Sequence, residues 1–242
     1  MILLEGGVPL YEQADWGPLK KDMGKPLRLP VNELIVHHSL VPDVPCGDTV
    51  THEIAALHSI DVYHTVERGW DGFAYNFAVF LSGHAYVGRG PDRIGAHTER
   101  RNSSSLGIVF VTDGQVNALT HAARAAFHSL VTYLILTGAL SPNYSLSPHS
   151  RYKETVCPGP KIKAQLARLM RDVLRDWPVL RAGDRGTAVA YLQNYLSTIG
   201  LLQEHVVGHF GAATLAAVKQ FQRDNSLVDD GLVGYRTWAL IP

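Results

Sequence analysis

The chain has 242 residues, 46% of them hydrophobic and 18% charged, enough for one sizeable core plus a small second domain and too apolar for a disordered segment. Lys+Arg and Asp+Glu balance at 22 each, so the cationic excess that nonspecific phosphate binding needs is missing and nucleic acid is not an expected partner. The longest apolar runs fall well short of the ~18–20 residues of a membrane span, so no membrane association is expected either.

The first 30 residues carry no pattern that can be assigned. Their start, "MILLEGGVPLYEQADWG", has Glu5 and the turn formers Gly6, Gly7 and Pro9 where a signal peptide would carry a basic flank and a longer apolar run, so no export leader is expected. "ELIVHHSL" (33–40) then reads as a buried strand ending in two histidines. A helix-length stretch follows, with Asp48 and Thr49 as candidate caps and neither Pro nor Gly until Gly69. "GFAYNFAVFLS" (72–82) reads as a second strand, "HAYVGRG" as its hairpin partner after a Ser-Gly turn, and "SLGIVFVTDG" (105–114) as another strand closed by a turn.

Leu119, Ala123, Ala126, Phe127, Leu130 and Leu134 recur at three-to-four spacing before Gly138, the pattern of an amphipathic helix with a glycine stop. A further helix is expected after Pro160, with Ile162, Leu166, Leu169 and Val173 as its stripe and an end near Trp177-Pro178. These elements predict an α/β (α+β) domain up to about residue 176, with a central mixed sheet flanked by helices. Beyond Pro178 the pattern changes: "GHFGAAT" (208–214) recurs as "GLVGYRT" (231–237), and "GDRGTAVAYLQNYLSTIG" also opens on Gly-x-x-Gly. Glycine turns leading into three short helices predict a small bundle of about 65 residues, near the lower limit for independent folding.

The two cysteines are Cys46, in the turn-rich "VPDVPCGD", and Cys157. A chain made in a reducing cytosol would not bridge them, and Cys46 reads as an unreactive loop thiol. Cys157 lies eight residues after His149 in "SPHSRYKETVCPGP". Imidazole with thiolate is a common donor pair for zinc, but two ligands do not make a site. A metal-dependent protease is disfavoured, since no H-E-x-x-H motif occurs and His52-Glu53 lacks the second histidine.

Residues 180–240 resemble the three-helix peptidoglycan-binding domain appended to many bacterial and phage wall hydrolases, through "LRAGDRGTAVAYLQNYLSTIGLL", "GHFGAATLAAVKQFQ" and "DDGLVGYRTW". Upstream, "IVHHS", "GFAYNF", "YVGRG", "GAHT", "NSSSLGIVFV" and the His149 to "CPGP" segment occur in the order found in type 2 zinc-dependent N-acetylmuramoyl-L-alanine amidases, relatives of animal peptidoglycan recognition proteins. The resemblance implies three parts: an unassigned segment over 1–30, a zinc amidase domain over 31–176 and a peptidoglycan-binding domain over 178–242.

It further implies that His37, His149 and Cys157 hold one zinc, leaving a fourth tetrahedral position for water as a catalytic site requires. Strand alternation turns His37 away from His38, which is expected to be a hydrogen-bonded structural histidine. Tyr75 matches the family's tyrosine, expected at the zinc water or developing oxyanion, and Thr155 stands where relatives carry lysine or threonine. His97 and Asn102 are expected to line the substrate groove. Val109 stands where some family members have a glutamate, so the general base falls to Tyr75, to the activated water or to a residue that the motifs do not identify. The implied reaction is hydrolysis of the amide between N-acetylmuramic acid and L-alanine, with a non-catalytic recognition protein as the rival. The implied partner is peptidoglycan and the expected state a monomer. The layout resembles a phage endolysin that leaves the host cytoplasm for the wall, with a secreted bacterial autolysin as the alternative.

Overall fold

The computed structural model describes the chain except Asp22, residues 45–48, residues 176–178, Ala239 and Pro242. Cys46, the candidate cap Asp48 and the expected break at Trp177-Pro178 therefore lie outside the described residues. The chain divides into two compact units, Met1–Met170 and Arg171–Pro242.

The first unit holds strands β1 (Ile2–Leu3), β2 (Pro9–Tyr11), β3 (Val31–His38), β4 (Phe77–Val79), β5 (Ala85–Val87), β6 (Leu106–Phe110) and β7 (Leu140–Pro148). They form one seven-stranded sheet in the order β1-β2-β5-β4-β6-β3-β7. It is mixed: β1–β2 and β4–β5 pair antiparallel, the rest parallel. Leu34, Ile35 and Val36 of β3 are all fully buried, because a strand covered on both faces reads as a continuous apolar run rather than an alternation.

The helices are α1 (Gln13–Trp16), α2 (Val50–Val62), α3 (His121–Leu136), α4 (Pro160–Lys163) and α5 (Leu166–Arg175) in this order, with α5 running into the second unit. Thr49 caps α2 by accepting from His52 N at 3.4 Å, and a π-helical turn over Tyr63–Glu67 extends its end. Thr120 caps α3 by accepting from Ala123 N at 3.0 Å, and Gly138, at φ +75°, follows it where a side chain would be strained. The expected stripe of α3 from Ala123 to Leu134 is buried, while Leu119 sits ahead of the cap.

Four segments differ from the sequence expectation. The stretch 72–82 is a strand only over Phe77–Val79, because the Asn76 side chain replaces ladder bonds before it. Its Oδ1 accepts from Gly107 N at 2.9 Å, and its Nδ2 donates to the Gly90 and Arg93 carbonyls at 2.8 Å each. The helix after Pro160 is broken into α4 and α5. β7 was not anticipated: two prolines and three serines hide it, and its place at the sheet edge is where prolines are tolerated. The first 30 residues are integral to the first unit. β1 and β2 extend the sheet and Trp16, 2% exposed, donates Nε1–H to the Val87 carbonyl at 2.8 Å. Burying that ring contributes roughly 4–6 kcal/mol of transfer free energy at most.

The second unit contains α6 (Thr187–Thr198), α7 (Ala212–Asp224) and α8 (Tyr235–Trp238), the three helices expected, around Val189, Leu192, Leu196, Phe210, Val218 and Trp238. Its glycine repeat has a shared fastening. Gln193 accepts from Gly208 N and donates to the His209 carbonyl and Thr214 Oγ1, all at 2.9 Å. Gln222 accepts from Gly231 N at 2.9 Å and donates to the Leu232 carbonyl at 2.9 Å and Thr237 Oγ1 at 3.3 Å. Each buried glutamine thus holds the first glycine, the next residue and the threonine of one G-x-x-G-x-x-T copy. Gly208 and Gly231 have φ of +62° and +76°, which explains the glycine.

Candidate metal centre

His37 lies near the end of β3, His149 on the short 3-10 turn that follows β7, and Cys157 just before α4. The pairing of β3 with β7 brings the first two together, and a backbone bond from Ser150 N to the Cys157 carbonyl at 3.0 Å folds the third back onto them. One nitrogen from each imidazole and the Cys157 sulfur all lie within 4.8 Å of one another. Cys157 Sγ is 3.7 Å from His37 Nδ1. A zinc ion with ordinary Zn–N and Zn–S bonds in a tetrahedron sets nitrogen and sulfur about 3.5 Å apart, so the residues present fit the group.

Electrostatics point the same way. Burial, with the neighbouring His97, His149 and His38 adding to it, holds His37 well below the usual imidazole range. Burial, then Lys153 and His38, lowers His149 as well, so both rings are neutral at neutral pH, the form in which an imidazole can bind a metal. Burial pushes the Cys157 thiol up to about 12, against a downward pull from the His38 backbone N–H. A thiolate at this place therefore depends on a nearby cation.

The ring of Tyr75 packs against His37 with centroids 5.1 Å apart. Tyr75 precedes β4 rather than lying in it, so its placement comes from Asn76 and from Arg89 N donating to the Tyr75 carbonyl at 3.0 Å, not from strand alternation. Burial, and the charges of Cys157 and Tyr63 after it, raise its phenol above the normal range. It stays protonated and can donate a hydrogen bond, but it is no base at neutral pH. Thr155 Oγ1 accepts from Cys157 N at 3.2 Å, a bond that leaves the hydroxyl proton uncommitted. Val109 is fully buried opposite His37 in the β3–β6 pairing and supplies no carboxylate.

His97 is buried and joined to the cluster through His37, with His97 Nδ1 and His37 Nε2 3.1 Å apart. Burial, then His149 and Arg89, lowers it to about 3, opposed by the Ser105 carbonyl. The Asn102 side-chain oxygen accepts from the His97 and Thr98 N–H groups at 2.9 and 2.8 Å, holding the loop between them. His38 has the structural part anticipated: its Nδ1 accepts from Gly114 N at 3.0 Å.

Three residues that sequence reasoning missed support this centre. Thr98 Oγ1 lies 3.1 Å from His97 Nδ1 and 3.4 Å from His37 Nε2. Glu33, buried on β3, accepts from the Tyr152 hydroxyl and from Arg101, and so ties the His149 turn and the His97 loop to the strand that carries His37. His64 stacks on Trp70 and meets Tyr75 with centroids 5.6 Å apart. Their only sequence signal was proximity to motif residues. A groove of about 500 Å³ opens beside Tyr75, walled by Leu40, Val41, Pro42, Ile60, Tyr63 and His64.

Residues 27–160, over half of the chain, match the family described as N-acetylmuramoyl-L-alanine amidase, and residues 185–241 match a putative peptidoglycan binding domain. Among similar proteins, the N-acetylmuramoyl-L-alanine amidase of Sus scrofa is 32% identical over 171 residues, covering 70% of this chain and 27% of that protein. The match thus spans about a quarter of that relative's length. Peptidoglycan-recognition protein LB of Drosophila melanogaster is 30% identical over 158 residues, covering 65% of this chain and 67% of that protein. The solved structure of wild-type Drosophila PGRP-LB aligns with a TM-score of 0.62 at 27% identity, covering 71% of this chain and 95% of that one. A mutant of the same protein, solved in complex with tracheal cytotoxin, aligns with a TM-score of 0.61 at 27% identity, covering 70% and 94%. With its curled mixed sheet, its clustered His37, His149 and Cys157 and a helical tail of the wall-binding type, the chain belongs to the N-acetylmuramoyl-L-alanine amidase family.

Proposed function

We propose that the protein hydrolyses the amide bond between N-acetylmuramic acid and the first L-alanine of the peptidoglycan stem, using one zinc ion, with its tail binding the wall. The observation that carries this reading is the His37–His149–Cys157 cluster with the Tyr75 ring against it. Three protein ligands leave one position open, the mark of a catalytic rather than a structural zinc site. Zinc held there supplies Lewis-acid polarisation of the carbonyl and a water acidified to near neutral pKa.

The chain's own groups do the rest. Tyr75, kept protonated by burial, donates to the oxygen on which negative charge develops. Thr155 offers a second hydroxyl from the Cys157 segment. His97 and Asn102 contribute through the loop they brace, and the groove beside Tyr75 receives the substrate. Mass spectrometry of fragments released from purified walls tests the reading. Stem peptides with a free N-terminal L-alanine and no new reducing sugar ends are expected. New reducing ends would make the protein a glycosidase, and wall binding with no release by the zinc-loaded protein would make it a recognition protein.

A further inference from the structure

We propose that His97 is a positioning residue for the metal, fixing which nitrogen of His37 is free to bind zinc by accepting the proton carried on the other. The inference rests on the zinc reading above. His37 presents Nδ1 toward the Cys157 sulfur at 3.7 Å and Nε2 in the opposite direction. A neutral imidazole has one proton, and a nitrogen that donates its lone pair to a metal cannot carry it. If Nδ1 is the ligand, the proton sits on Nε2, where His97 Nδ1 at 3.1 Å and Thr98 Oγ1 at 3.4 Å are the acceptors in reach.

His97 can accept there only when its own proton is on Nε2. That atom is buried and makes no hydrogen bond of good geometry among the described residues, so a proton there carries a cost that the bond accepted from His37 has to offset. The ring is also held in a built socket. A Cβ added at Gly95 or at Gly107 would come within 2.4 Å of it, so both neighbours are glycine where the imidazole passes. Asn102 clamps the His97 and Thr98 N–H groups from the other side. A side chain placed merely to fill space would not need its Nδ1 aimed at a metal ligand, and outer hydrogen bonds of this kind set the orientation and basicity of ligating histidines.

The test reads tautomers and metal affinity rather than turnover. Long-range proton–nitrogen NMR correlations on the zinc-loaded chain should show His37 protonated on Nε2 and His97 protonated on Nε2 with Nδ1 bare. A His97 ring protonated on Nδ1 would overturn the proposal. Zinc competition against a chromophoric chelator should show about a 10–100-fold loss of affinity in His97→Phe. His97→Asn, whose side-chain oxygen falls near the place of Nδ1, should recover much of it. A folded His97→Phe protein that holds zinc as tightly as the parent would sink the idea. If His97→Phe does not fold, the parent's tautomers and the His97→Asn affinity decide. A parent chain that takes up no zinc would be a failure of the zinc reading itself, seen before any variant is compared, and the proposal would fall with it.

Discussion

The backbone N–H of His38 points at the sulfur of Cys157 from 3.4 Å, across 119 positions of sequence. A strand end thus meets the sulfur with a fixed dipole that favours negative charge on it, while His37 Nδ1 approaches the same atom. Cys157→Ser keeps the shape but replaces a soft thiolate with a poor ligand. Zinc content and release of stem peptides should fall together in this variant, and a chelator should have the same effect on the parent. Full metal content and full activity in Cys157→Ser would remove Cys157 from the ligand set.

Tyr75→Phe should keep both the fold and the zinc, because the ring still packs on His37 and the lost hydroxyl is not a ligand. Turnover should drop about 10²–10³-fold, the usual loss for one oxyanion donor. Because burial raises the phenol, the parent's rate should show no limb from tyrosine deprotonation in the neutral range. A turnover unchanged by the substitution would leave Tyr75 with a packing role alone.

Glu33 offers a stability test with a pH signature. Burial pulls its carboxyl upward, but hydrogen bonds from Tyr152, Arg101 and Ser147 outweigh it and hold the group below its ordinary value. A lowered folded-state pKa stabilises the fold above the unfolded pKa of about 4.3 and loses that contribution as pH falls through the folded one. Glu33→Gln should therefore cost about 1–3 kcal/mol in urea denaturation at pH 7. The gap to the parent should close on acidification below the ordinary glutamate range. A gap of the same size at acid pH would show that the charge on Glu33 is not what matters.

Much of this centre could be read in the sequence, and what could not has a physical reason. His37, His149 and Cys157 stand beside strong local signals: an apolar strand, a Pro-Gly-Pro stop and a fixed motif order. The caps of α2 and α3 and the glycine turns of the tail are equally local. β7 was invisible because propensity argues against a strand with two prolines, and only its edge position makes it possible. The link between Glu33 and Tyr152 spans 119 positions and depends on strand order, which no local pattern encodes. His97 shows the same limit, since "GAHT" says that a histidine is there but not which way its ring faces. Its contact with His37 depends on the loop that Asn102 braces.

Chemistry and wall binding should separate along the chain. Every proposed ligand lies within the first compact unit, so a fragment ending near residue 177 should keep its zinc and still cleave a soluble muramyl peptide, while pelleting less with insoluble walls. The reciprocal fragment, 178–242, contains the core from Leu180 to Ile241 and both glutamine fastenings, and should fold as a helical bundle that pellets with walls in the absence of zinc. Gln222→Ala within that fragment leaves Gly231 N–H and the Leu232 carbonyl without their partner and should cost roughly 2–4 kcal/mol, enough to unfold so small a domain. Tethering would then act by raising local enzyme concentration at the wall, which lowers the substrate level needed without changing the transition state. Co-sedimentation and turnover on the soluble substrate decide it. Equal wall binding by the truncated enzyme, with none by the folded tail, would take the targeting role away from residues 178–242.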